Sequence, residues 1–186
     1  VAFEKNVTEV SQANGVEMMK AKSLGLAIVG LVVSSAAAFA QSPTLLKQHN
    51  DWAAYSLSGG SGKVCYALTK PTQMLPGDRN HGDVFFFITS RPAEGVSSEP
   101  SLLVGYPLKD KSTVVADVDG NRFSMFTNND GAWVDNAASE TQLVNAMRAG
   151  RELTVHAESS RGTKTSYKFS LSGVTAAINS AQAACR

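Results

Sequence analysis

From Asp51 onward, apolar and polar residues alternate in short runs broken by glycine, asparagine and serine. That period of two predicts an antiparallel β domain over residues 51–186. Trp52–Leu57 and Lys63–Thr69 read as the first two strands, joined by the flexible Ser58-Gly59-Gly60-Ser61-Gly62. In the second, Val64, Tyr66 and Leu68 share one face, and Cys65 and Ala67 the other. Val84–Thr89 is apolar on both faces, which predicts a central strand. Ser101–Tyr106, Ser112–Val118, Arg122–Thr127 and the short Ala132–Val134 continue the series, with Asp119-Gly120 as a two-residue hairpin turn. Glu152–Glu158 and Lys164–Leu171 form a last hairpin around Ser160-Arg161-Gly162.

Two segments break the alternation with helical spacing. Ser139-Glu140-Thr141-Gln142 has the form of a capping box, Leu143, Ala146 and Met147 share a face, and Gly150 can stop the helix. Val174, Ile178, Ala181 and Cys185 fall at spacings of four, three and four. They predict a C-terminal helix whose one apolar face carries Cys185 toward the body of the protein.

Ahead of the β pattern lies a different kind of segment. Lys20 and Lys22 precede an almost wholly apolar stretch from Leu24 to Phe39, and Ala38-Phe39-Ala40 ends it with small residues around a bulky one. That is the layout of a signal peptide over residues 18–40, cleaved after Ala40. A retained anchor would need about 20 apolar residues, more than this stretch provides. Residues 1–17 read as an extension ahead of a true start at Met18 or Met19, and 41–50 as a polar, poorly ordered leader. The expected location is the periplasm or cell surface. Seventeen basic and 16 acidic residues, with no basic run, exclude a nucleic-acid surface, and no later segment has membrane-spanning length.

Export changes the reading of the cysteines. Cys65 and Cys185 are the only two, and in an oxidising space an even pair reads as a disulfide. It would close a loop of about 120 residues, worth about 4–5 kcal/mol in the chain-entropy model. Neither cysteine has a second ligand at metal spacing.

Candidate chemistry is sparse. Gly59–Lys63 lacks both the first glycine and the hydroxyl of a phosphate loop, and it lacks the second glycine of a nucleophile elbow. Asp117-Val118-Asp119-Gly120-Asn121 resembles half a calcium loop, but Asn128 stands where the closing carboxylate belongs, so a hairpin turn is expected. His49, His81 and His156 are scattered, and each reads as a surface or loop histidine. Trp52, Trp133, Tyr106 and Phe85-Phe86-Phe87 could be surface for a carbohydrate or protein, though at strand spacing they read first as core. Arg91 and Arg161 sit in loops beside Pro92 and Gly162, where a guanidinium receives an anion bidentately or pins the loop in a salt bridge. No catalytic residue, metal or cofactor is indicated.

In order, these pieces resemble the invasion-associated locus B family of exported proteins, known chiefly from alphaproteobacteria. The resemblance rests on Phe87-Ile88-Thr89-Ser90-Arg91-Pro92, Gly105-Tyr106-Pro107-Leu108-Lys109, Val118-Asp119-Gly120 and Phe126-Thr127. Ala132-Trp133, Ala146-Met147 with Gly150, Ser160-Arg161-Gly162-Thr163, Ser170-Leu171 with Gly173, and Cys185 extend it. It implies an immunoglobulin-like antiparallel β-sandwich with no catalytic residues to carry over. The function expected is that of an exported, non-enzymatic envelope protein that binds a protein or envelope component. Arg91, Tyr106, Trp133 and Arg161 are its possible binding surface. The alternatives are an enzyme acting on envelope polymers near Arg91, Arg161 and Trp133, and a purely structural or stress-related envelope protein.

Overall fold

The computed structural model describes residues 42–59 and 62–186; residues 1–41, where the signal peptide and the extension before it are expected, and Gly60-Ser61 lie outside them. Eleven strands form one antiparallel ladder in the order β1-β2-β3-β5-β6-β9-β8-β7-β10-β11-β4. In chain order these are β1 (Thr44–His49), β2 (Trp52–Gly59), β3 (Gly62–Thr69), β4 (Gln73–Leu75), β5 (Phe85–Arg91) and β6 (Val96–Leu103). Then follow β7 (Thr113–Val118), β8 (Asn121–Asn128), β9 (Gly131–Trp133), α1 (Ala137–Ala149), β10 (Glu152–Glu158), β11 (Lys164–Ser170) and α2 (Val174–Ala184).

The ladder folds over on itself, so its two halves face each other as a sandwich. Phe86 of β5 meets Phe169 of β11 with ring centroids 5.7 Å apart, and Trp52 of β2 donates its indole N–H to the carbonyl of Ser170 at 2.8 Å. The core between them holds Trp52, Phe86, Ile88, Leu102, Val114, Met125, Val155, Tyr167 and Phe169. Burial of each such large side chain stabilises the fold by roughly 1.5–3 kcal/mol. Leu143, Val144 and Met147 of α1 and Val174, Ala177 and Ile178 of α2 complete it. The expected mainly β fold with two helices, one C-terminal, is what the chain forms, and β5 lies inside the ladder between β3 and β6.

The cysteines are joined. Cys65 and Cys185 form a disulfide with Cα atoms 5.9 Å apart, packed with Ala54 and Ala181 in a small second cluster. It pins the end of α2 beneath β2 and β3. At the other end of α2, Gly173 has φ 93°, and a Cβ there would lie 1.9 Å from the His49 carbonyl oxygen, so only glycine fits.

Several boundaries differ from the sequence reading, each for a local reason. The leader expected to be poorly ordered contributes β1. Its residues are almost all exposed, so backbone pairing with β2 and a 2.8 Å contact between His49 Nε2 and Ser180 Oγ hold it, and no apolar pattern announces it. β4 is three exposed residues on β11. The strand placed at Ser101–Tyr106 runs from Val96 to Leu103, because Pro100 sits inside it opposite Ile88 and Gly105 leaves the sheet. The cap of α1 is Asn136, whose side chain accepts from the Ser139 N–H at 2.9 Å, and not Ser139 itself.

Candidate functional site

Strand β5 has a functional candidate at each end. At its start, the loop that carries Arg79, Asn80 and His81 meets the Gly105–Pro107 segment that leaves β6. The two backbones touch at Gly82 and Gly105, where a Cβ on either would lie under 3 Å from the other's Cα. Gly105 N–H also donates to the His81 carbonyl at 3.1 Å. The tip of the β10–β11 hairpin forms the third wall. Ser160 N–H donates to the Pro107 carbonyl at 2.9 Å, and Thr163 N–H to Ser159 Oγ at 3.1 Å. Together these walls enclose a half-open cavity of about 380 Å³ lined by Arg79, Asn80, His81, Tyr106, Pro107, Ser159–Arg161, Thr163 and Thr165.

Its floor is a hydrogen-bonded chain. His81 lies in a loop, one of the two settings expected for it, yet is only 5% exposed. Its Nε2 lies 2.9 Å from the Pro76 carbonyl, which can only accept, so that nitrogen carries a proton. Its Nδ1 is 2.9 Å from the Tyr167 hydroxyl. Tyr167 in turn meets Tyr106 at 2.6 Å, and Tyr106 meets Thr165 at 2.7 Å. Thr165 Oγ1 also donates to the Ala157 carbonyl at 3.4 Å, so the chain ends on a backbone carbonyl on each side. Burial, and then the hydrogen bond with Tyr106, push the Tyr167 phenol far above the ordinary tyrosine range. Both histidine nitrogens are thus engaged, and the phenol keeps its proton.

The cavity walls bear two guanidiniums, hydroxyls and an amide, but no carboxylate and no thiol. Among the described residues, Arg161 has no carboxylate within salt-bridge distance, and Arg79 has only the exposed Asp78 at 3.7 Å. Glu158, at the base of the hairpin, is taken up by Lys109 at 2.9 Å.

The other end of β5 is electrostatically closed. Arg91 donates from Nη1 and Nη2 to the two oxygens of Glu99 at 3.1 and 2.9 Å, and from Nε to Glu94 at 2.8 Å. The hydrogen bond with Glu99 raises the guanidinium above its ordinary value against the opposing effect of burial. Nearby, burial and then the Glu99 charge raise the carboxyl of Glu140.

The residues singled out in the sequence therefore separate. Tyr106 and Arg161 share the cavity, Arg91 is locked in an ion-pair cluster, and Trp52 is fully buried. Trp133 lies over Gly131 on the outward face of the sheet, its ring 6.2 Å from Phe126. Register places Phe87 and Leu68 in the same row, beside the stacked pair Tyr55 and Tyr66 at 5.4 Å. Asp117 and Asp119 spend their carboxylates on backbone N–H groups of Gly120, Arg151 and Glu152. Arg79, Asn80, Ser159, Thr163 and Tyr167 were missed. Their one sequence signal is that Arg79 and Arg161 each lie beside a turn.

Comparison with known proteins is consistent with this fold. The family model described as Invasion associated locus B (IalB) protein matches residues 52–182. Among solved structures, the chain is similar to the crystal structure of invasion associated protein B from Bartonella henselae. The TM-score is 0.56 at 18% identity, over 76% of this chain and 98% of that one. No curated protein matches.

Proposed function

This chain belongs to the Invasion associated locus B family, and from that premise we propose that it is an exported envelope protein that binds its ligand and does not transform it. The binding site is the cavity between His81, Tyr106 and the β10–β11 hairpin. One observation carries this reading: the cavity offers donors, hydroxyls and positive charge, but its described lining holds no free base that could activate a hydroxyl. Acid–base and nucleophilic catalysis need a side chain within reach of substrate and able to give or take a proton. Here His81 has both nitrogens occupied, Tyr167 holds its proton, and no carboxylate or thiol lines the wall. The apolar leader before Ala40 and the paired cysteines support passage to an oxidising compartment.

Two measurements test it. Fractionation with N-terminal sequencing is expected to find the mature protein outside the cytoplasm, beginning at Gln41; a cytosolic protein with its leader intact contradicts export. Native mass spectrometry of protein recovered from the envelope is expected to show a small bound component that a Thr163→Trp variant, filling the cavity, does not retain. Equal retention by that variant, or conversion of the component to a product, contradicts binding at this site.

A further inference from the structure

We infer that the ligand is a phosphate ester on a hydroxyl-rich body of about monosaccharide size. This rests on the reading of the cavity as a binding site and names what the site selects. The two guanidiniums come from separate elements, Arg79 from the loop before β5 and Arg161 from the hairpin tip, yet both line one space. A planar carboxylate presents two oxygens and suits one guanidinium fork. A tetrahedral phosphate directs its two or three free oxygens out of any one guanidinium plane, so it can be held from two walls at once. The carboxylates near the rim do not cancel this charge: Glu158 is held by Lys109, and Asp78 is an exposed partner of Arg79 at 3.7 Å.

The rest of the wall describes the body that carries the phosphate. Ser159, Ser160 and Thr163 bring hydroxyls, and Asn80 keeps its amide N–H groups while its carbonyl oxygen accepts from Gly82 N–H at 2.9 Å. Tyr106 and Pro107 add apolar surface between them. Alternating polar and apolar contacts of this kind match the O–H and C–H groups of a sugar or polyol. The volume of about 380 Å³ stands near the lower end for small-ligand cavities, which are roughly 300–1,000 Å³. A polymer chain does not fit inside. The hydrogen-bonded floor and the Gly82–Gly105 contact hold the site in shape before the ligand arrives, which lowers the cost of binding.

The chemistry is shared by soluble sugar phosphates and by the phosphoglycerol headgroups of lipids, and the test separates them. The mature domain is titrated at low salt with a hexose 6-phosphate, the parent hexose, and vesicles with or without phosphatidylglycerol. The expected result is saturable binding of the phosphate ester, about tenfold or more over the hexose, and a similar loss on Arg161→Gln or Arg79→Gln. The variants should keep the wild-type melting temperature, because both side chains are exposed. Arginine-dependent binding of phosphatidylglycerol vesicles alone assigns the source to a lipid headgroup and still supports the phosphate. Equal affinity for hexose and hexose phosphate, or no effect of either substitution, overturns it. If the natural component is retained in a Thr163→Trp-sensitive way but no phosphate probe binds, this inference fails and the binding reading stands. If Thr163→Trp changes nothing, the binding reading itself fails.

Discussion

Arg91 and Arg161 read alike in the sequence, each an arginine beside a turn residue, but Arg91 closes strand β5 instead of lying in a loop, and the two end in opposite states. Arg91 is three-quarters buried and bonded to Glu94 and Glu99, with Glu140 close by. Arg161 is exposed on a hairpin tip whose one neighbouring carboxylate, Glu158, is spent on Lys109. Each has a glutamate three residues away along the chain, Glu94 bonded to Arg91 but Glu158 bonded to Lys109, so sequence proximity alone does not make the difference. It lies in which strand the fold sets opposite: β6 brings Glu99 to Arg91, whereas the loop before β5 brings a second cation to Arg161. An arginine that is satisfied by the protein stabilises the protein, and one that is not is available to something else.

The largest predicted effect separates the two ends of β5. The disulfide lies at the Arg91 end, with Cys185 Sγ 3.9 Å from the Ser90 carbonyl. Replacing both cysteines with serine should cost about 2–5 kcal/mol in denaturant unfolding. Hydrogen exchange should rise first at Cys65 and Ser90, and later around His81.

Tyr167→Phe attacks the other end, leaving His81 Nδ1 and Tyr106 without their shared partner. A loss of about 1–3 kcal/mol is expected, with altered imidazole resonances of His81. Next in size, Arg91→Met leaves Glu99 unpaired and half-buried. It should destabilise the fold by about 1 kcal/mol, whereas Arg161→Met should stay within about 0.5 kcal/mol. Equal costs for the two would erase the distinction between them.

The smallest effect is on pH dependence. The folded protein keeps the Tyr167 proton at pH values where the unfolded chain releases it. Stability should therefore be intact below about pH 10 and fall as pH rises beyond it. Unfolding curves of Tyr167→Phe should fall less steeply over the same range.

The sequence was most readable where pattern and packing coincide. Val174, Ile178, Ala181 and Cys185 formed one face on paper, and all four are buried, the first three in α2 and Cys185 at its C-cap, bonded to Cys65. The hairpin at Asp119-Gly120 and the strand bounds Glu152–Glu158 were also legible. β1 was not, because an exposed edge held by backbone hydrogen bonds has no apolar period to betray it. His81 was not, because its burial is imposed by Tyr106 and Tyr167, 25 and 86 residues away. The cavity is assembled from three segments distant along the chain, so Tyr106 and Arg161 could be named singly but not as neighbours.

The claim that Arg161 is open to ligand while Arg91 is not can be measured on the native protein by labelling with an arginine-selective dicarbonyl and mapping the adducts by mass spectrometry. The account predicts that Arg161 is modified about tenfold faster than Arg91, and that a saturating hexose phosphate slows Arg161 alone of the two. Equal labelling of both arginines, or an Arg161 rate unchanged by that phosphate ester, would contradict it.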